Sequence, residues 1–66
     1  MVYINVTING KIDSKSLWED IKEYDVNVTD LGEVTFVYGE CSMYHAMFIA
    51  DICRKYGDIT KEVTSI

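Results

Sequence analysis

The chain has 66 residues, no proline, two cysteines and a net charge of −5 at neutral pH. One domain of this size buries only about 60% of the surface its unfolded form exposes, and a composition 48% apolar and 26% charged belongs to a globular chain, not a disordered one. The charge disfavours a nucleic-acid binder working through a basic surface, and no segment approaches the roughly eighteen consecutive apolar residues of a membrane span.

The start, Met1-Val2-Tyr3-Ile4-Asn5, lacks the basic region and apolar core of a signal peptide, so a cytoplasmic chain with free thiols is expected. Val2, Ile4, Val6 and Ile8 alternate with Tyr3, Asn5, Thr7 and Asn9, the pattern of a half-buried strand. Asn9-Gly10 is a hairpin signal, but Lys11-Ile12 is too short an arm to pair, and the dipeptide reads as a strand-ending turn. Asp13 or Ser14 can cap a first helix, and Ser16-Leu17-Trp18-Glu19 fits a capping box. Leu17, Trp18, Ile21 and Tyr24 then form an apolar stripe at helical spacing, with Glu19, Asp20 and Glu23 opposite.

Val26 and Val28 alternate with Asn27 and Thr29, and the turn Asp30-Leu31-Gly32-Glu33 leads into Val34, Phe36 and Tyr38 alternating with Thr35, Val37 and Gly39. This predicts a hairpin. Ser42 caps a second helix over 42–56, Gly57 stops it, and the Thr-, Val- and Ile-rich tail from Ile59 to Ile66 reads as a last strand. Strand, helix, strand, strand, helix, strand has a natural solution in an α+β domain spanning 1–66. It is the ferredoxin-like βαββαβ arrangement, a four-stranded antiparallel sheet of order 4-1-3-2 with both helices on one face. In this expectation strands one and three lie side by side, joined by a right-handed crossover through the first helix. The predicted core includes Ile4, Val6, Phe36, Ile49 and Ile52, and the open sheet face is expected to be mostly Thr, Asn and Glu.

Turning residues 43–56 by about 100° each gathers Ala46, Phe48, Ile49, Ile52, Cys53 and Tyr56 on the side that belongs on the sheet, with His45 beside them. Asp51, Arg54 and Lys55 mark the solvent side. Met43, Tyr44 and Met47 fall among those charges, surplus to the core. Methionine adapts to irregular partners and tyrosine is favoured at interfaces, so these three are the candidate contact of a homodimer or a partner complex.

Catalytic signals are thin, and no catalytic residue, metal or cofactor is expected. Cys41 at a helix N-terminus, with His45 one turn on, has the spacing of a thiolate–imidazole pair or of two zinc ligands. No orienting third group or oxyanion site accompanies them, and a structural zinc needs four ligands. The simpler reading is a small strand-end cysteine and a partly buried histidine. Gly10, Gly32, Gly39 and Gly57 are isolated turn residues and form no phosphate loop. Glu19 and Glu23 share a helical face, more simply a solvated face than a cation site.

Charge is unevenly spread. Residues 13–33 hold seven acids, Asp13, Glu19, Asp20, Glu23, Asp25, Asp30 and Glu33, against Lys15 and Lys22, and the rest of the chain is neutral. Glu19, Asp20, Glu23, Asp25, Asp30 and Glu33 are therefore a candidate acidic patch able to speed encounter with a basic partner.

The stretch from Val34 to Ile66 resembles the last strand-helix-strand of ACT and RAM domains, ligand-responsive ferredoxin-fold modules of amino-acid regulators. The shared pattern is a strand ending in Gly39-Glu40, an apolar helix, then Tyr56-Gly57-Asp58-Ile59 leading into a Thr-rich strand. Residue 42 is serine where the RAM pattern commonly has aspartate, and the loops are shorter. The resemblance implies dimerisation. Two functional readings result: a small self-associating, non-catalytic binding module working through the second helix, or an acidic inhibitor of the phage anti-defence type. The inhibitor would occupy a basic nucleic-acid-binding surface on a target protein.

Overall fold

Four aliphatic side chains in strict alternation make strand β1, Val2–Asn9, the centre of the fold: Val2, Ile4, Val6 and Ile8 are buried while the residues between them are not. The computed structural model describes residues 1–66. After β1 come helix α1 (Ser14–Ile21), a 3-10 turn (Lys22–Tyr24), β2 (Asn27–Asp30), β3 (Val34–Cys41), helix α2 (Met43–Arg54) and β4 (Ile59–Ser65). The sheet runs β2-β3-β1-β4, the expected order, and every neighbouring pair is antiparallel.

The expected crossover needs correction. β1 and β3 are antiparallel neighbours with no direct link; α1 carries the chain from β1 to β2, which run the same way with β3 between them. A helix returns the chain to the end where it started, so it joins parallel strands, and the β2–β3 hairpin then places β3 in the gap. In the same way α2 links β3 to β4 across β1.

Both helices cover one face. Leu17 and Ile21 of α1 and Ala46, Ile49 and Cys53 of α2 form one cluster with Val2, Ile4, Val6, Ile8, Val26, Val37 and Cys41. Asp13 starts α1, accepting bonds from the Ser16 amide and hydroxyl at 3.2 and 2.9 Å, so Ser16 serves Asp13 and heads no capping box. Ser42 caps α2 as expected, accepting from the His45 amide at 3.1 Å. Gly57 is not a left-handed stop: the helix ends in tightened bonds from the Lys55 and Tyr56 amides to Ile52 and Cys53. Glycine eases a close approach there, since a Cβ would stand 3.0 Å from the Asn9 carbonyl oxygen.

Strand β3 faces the opposite way from expectation. Thr35, Val37, Gly39 and Cys41 point to the helices; Val34, Phe36 and Tyr38 are half-buried on the open face. Apolar residues occupy both parities of β3, so its own pattern leaves the phase open, and pairing with β1 decides it. Val37 lies opposite Val6 and Cys41 opposite Val2, whereas Phe36 and Tyr38 lie opposite Thr7 and Asn5. Phe36 is thus outside the core cluster, and Ile52 is only partly buried against that cluster. Gly39 is a mid-strand residue and not a turn: a Cβ would meet Val26 Cγ1 at 3.3 Å, so its absence lets Val26 close over the sheet.

The core has one polar flaw, because Thr35 is fully buried and its Oγ1 has no hydrogen-bond partner. In urea titrations Thr35→Val should stabilise the domain by about 1 kcal/mol, since an unmade buried bond is removed at nearly constant shape. Ile49→Ala should cost about 2–5 kcal/mol, Gly39→Ala about 1–3 kcal/mol by overpacking against Val26 and by a side chain at φ 152°, and Phe36→Ala clearly less than Ile49→Ala.

Candidate functional site

Small residues decide which face of α2 meets the sheet. Ala46, Ile49, Ala50 and Cys53 are buried, and three of the four are small enough to bring the helix close to β1. This rotates the contact away from the bulkier side chains. Phe48, expected in the core, is 50% exposed. It joins Met43, Tyr44 and Met47, which are 53%, 75% and 55% exposed, in a four-residue apolar outer face linked by i, i+3 and i, i+4 spacings.

The flanks of α2 differ. One meets α1: the His45 and Tyr24 rings pack edge to face at 5.1 Å, and the Tyr56 hydroxyl donates to Asp20 Oδ2 at 2.5 Å. His45 is therefore exposed beside a tyrosine and not on the sheet side. The other flank, carrying Met43 and Met47, lies on the side of edge strand β4. Val2 pairs with Cys41 on one side and Ser65 on the other, which puts Met1 and Ile66 at the end of the sheet where α2 begins. Val63 points to the helix side, opposite Ile4, yet is 40% exposed; Met1 and Ile66 are largely exposed. Exposed apolar side chains thus occur both on α2 and on the unpaired edge strand β4.

Four of the six acidic candidates already have a partner within the chain. Glu19 is bound by Lys22 at 2.7 Å, Asp20 accepts from Tyr56, and the Asp30 carboxylate accepts from the Gly32 amide at 2.8 Å. Glu33 lies 3.9 Å from Lys11 with both side chains largely exposed, a weak pair. Asp25 occupies a left-handed backbone position (φ 58°) after the 3-10 turn, at the opposite end of β2 from Asp30 and Glu33. Glu23 and Asp25 have no side-chain hydrogen bond or ion pair. Nowhere do three His, Cys, Asp or Glu side chains converge as a metal site requires.

Cys41 is the last residue of β3, buried in the core, and Cys53 lies in the same cluster; both are free. Burial pushes the Cys41 thiol up and raises that of Cys53 to about 11, the opposite of an activated nucleophile. The spacing to His45 is real in sequence, but one side chain points into the core and the other into solvent.

Sequence reasoning missed a concavity on the open sheet face. Asn5, Thr29, Leu31, Phe36 and Tyr38 line a shallow, open depression of about 430 Å³, and the Thr29 and Tyr38 hydroxyls share a hydrogen bond of 3.2 Å. Its signal was the doubly apolar run Val34-Thr35-Phe36-Val37-Tyr38, which cannot hide both sides. No helix is long and apolar enough to cross a membrane. Nothing matches this chain among family models, curated proteins or solved structures.

The bond to Asp20 raises the Tyr56 hydroxyl from its ordinary value of 10 to about 12, with desolvation and nearby negative charge adding to it. A folded value above the unfolded one stabilises the fold fully below the unfolded value and is lost as pH rises through the folded one. Thermal unfolding should therefore show a decline between about pH 10 and 12 that is shallower in Tyr56→Phe. The variant should also lack the last tyrosinate to appear in ultraviolet titration.

Proposed function

We propose that the chain is a ferredoxin-like interaction module with no catalytic role, which pairs with a second copy of itself through α2 and β4. The observation that carries this reading is that exposed Met43, Tyr44 and Met47 on α2 accompany an open edge strand whose Val63 is exposed on the same, helix-bearing side of the sheet. A monomer seldom leaves an apolar surface of this kind uncovered. β4 has seven residues, no proline, and none of its last six is buried, so its outward amides and carbonyls are available for pairing.

Charge in β4 selects a register. A two-fold axis normal to the sheet pairs residues of the same face. Centring it on Lys61 or Glu62 opposes like charges, which is destabilising. Centring it on Val63 sets valine against valine, Glu62 against Thr64 and Lys61 against Ser65, with no like pair. The Val34–Ile66 resemblance to ACT and RAM modules, which usually dimerise, supports the same reading. The acidic-inhibitor reading has less support, because Glu19, Asp20, Asp30 and Glu33 already have partners inside the molecule.

Sedimentation velocity from micromolar to millimolar protein tests the proposal. Wild type should move from monomer to dimer, and Met47→Glu and Val63→Lys should each weaken association about tenfold or more, equivalent to about 1.4 kcal/mol, without altering the circular dichroism. A wild type still monomeric at millimolar concentration overturns it. So does a complex that ignores both substitutions but dissociates on Glu19→Lys with Glu23→Lys.

A further inference from the structure

The open face of the sheet, on the other side from the helices and from the proposed dimer contact, carries its own chemistry. Phe36 and Tyr38 present half-buried aromatic rings there, with Leu31 of the hairpin turn as a wall and Asn5 and Thr29 as the polar groups of the same concavity. Asn5 Oδ1 is shut off from solvent and has no donor. Asn5 lines the concavity, and its carboxamide torsion is broad and two-fold, so rotation of the carboxamide is the movement by which that acceptor would meet a ligand donor. An acceptor left without a donor at a lined concavity marks a place where a ligand N–H gains more than it would in water.

Charge on this face has one sign. Glu62 lies directly opposite Asn5 and Glu40 opposite Tyr3, both exposed and both on the open side. Lys61 is the only basic residue in any strand, and its position opposite Val6 turns it to the helix side. An exposed aromatic sheet face invites comparison with single-stranded RNA binders, which stack bases on such rings. Those sites also need cations for the phosphates, and here the phosphates would meet two carboxylates. A planar cation fits every feature instead. It would stack on Phe36 or Tyr38, an N–H group would meet Asn5 Oδ1 once the carboxamide turns, and Glu62, paired with Asn5 on the neighbouring strand, would supply the opposite charge.

The geometry points to a recognition pocket for an arginine side chain presented by a partner polypeptide. The guanidinium is chosen over an ammonium because it is flat, weakly hydrated and has several donors in one plane. A polypeptide source is chosen over free arginine because the free amino acid carries a carboxylate that Glu62 and Glu40 repel. The site is independent of self-association and remains open in a dimer paired through β4.

Heteronuclear NMR titration of the full chain tests this with four probes: N-acetyl-arginine amide, its neutral analogue N-acetyl-citrulline amide, free arginine, and single-stranded oligouridylate. The arginine amide should saturate shifts of the Asn5 side-chain amide and of the Thr29, Phe36 and Tyr38 backbones. Citrulline amide should leave them unmoved, and free arginine should bind more weakly than the amide. Glu62→Gln, on an exposed position that leaves the fold intact, and Phe36→Leu should each weaken the arginine amide about two- to fivefold, the range of one exposed charge pair or one exposed ring–cation contact. The assignment is overturned by no shift at the solubility limit of the arginine amide, by equal binding of citrulline amide, or by unchanged affinity in both variants. Free arginine binding as well as the amide overturns the polypeptide source, and preferential binding of oligouridylate overturns the ligand class.

Discussion

Everything in this fold hangs from β1. It is the only strand with two antiparallel neighbours whose inward residues are all β-branched aliphatics, and Ile4, Val6 and Ile8 are completely buried. Moving its register by one residue would put four aliphatics in water and four polar groups in the core, so its phase is fixed before any other strand is considered. β3 and β4 then inherit their faces from it. That inheritance places Gly39 under Val26, buries the Thr35 hydroxyl without a partner, and leaves Phe36 and Tyr38 on the open side. A small domain accepts such flaws because its single core must first satisfy its most apolar strand.

Helix α2 shows the same hierarchy in three dimensions. Its two alanines and Cys53 give it a thin contact face that settles close to the sheet, and the larger Met43, Tyr44, Met47 and Phe48 are left outside. A helix this apolar on both sides is not required by the core beneath it. Its outer residues are the part of the sequence that the monomer does not explain. They stand beside the one long edge that the fold leaves unpaired, whereas the opposite edge strand, β2, has four residues.

The elements, their order and the sheet order were legible in the sequence because β1 carries one unambiguous period and Asp13 and Ser42 cap the helix starts. What was not legible depended on long-range pairing. The direction Phe36 faces cannot be read from a strand apolar on both parities; only its position opposite Thr7 settles it. Helical spacing groups Phe48 with the sheet-facing residues of α2, whereas close packing on the sheet centres the contact on Ala46, Ile49, Ala50 and Cys53. The three exposed residues of the candidate contact, Met43, Tyr44 and Met47, were readable from helical spacing, but their extension to Phe48 and Val63 required the fold. The acidic residues were countable in sequence, yet their partners Tyr56 and Lys11 are distant in the chain, so Asp20 and Glu33 could not be recognised as engaged.

Self-association through α2 and β4 is the claim on which the functional account rests, and contact between two copies can be observed directly. An isotope-filtered NOE experiment on an equimolar mixture of methyl-labelled and unlabelled chains reports only intermolecular proximity. The account predicts cross-peaks from the Met43 and Met47 methyls of one copy to Val63 and Ile66 of the other, together with Val63-to-Val63 contact. Intermolecular peaks confined to α1, or none in a sample shown to be dimeric, would contradict it.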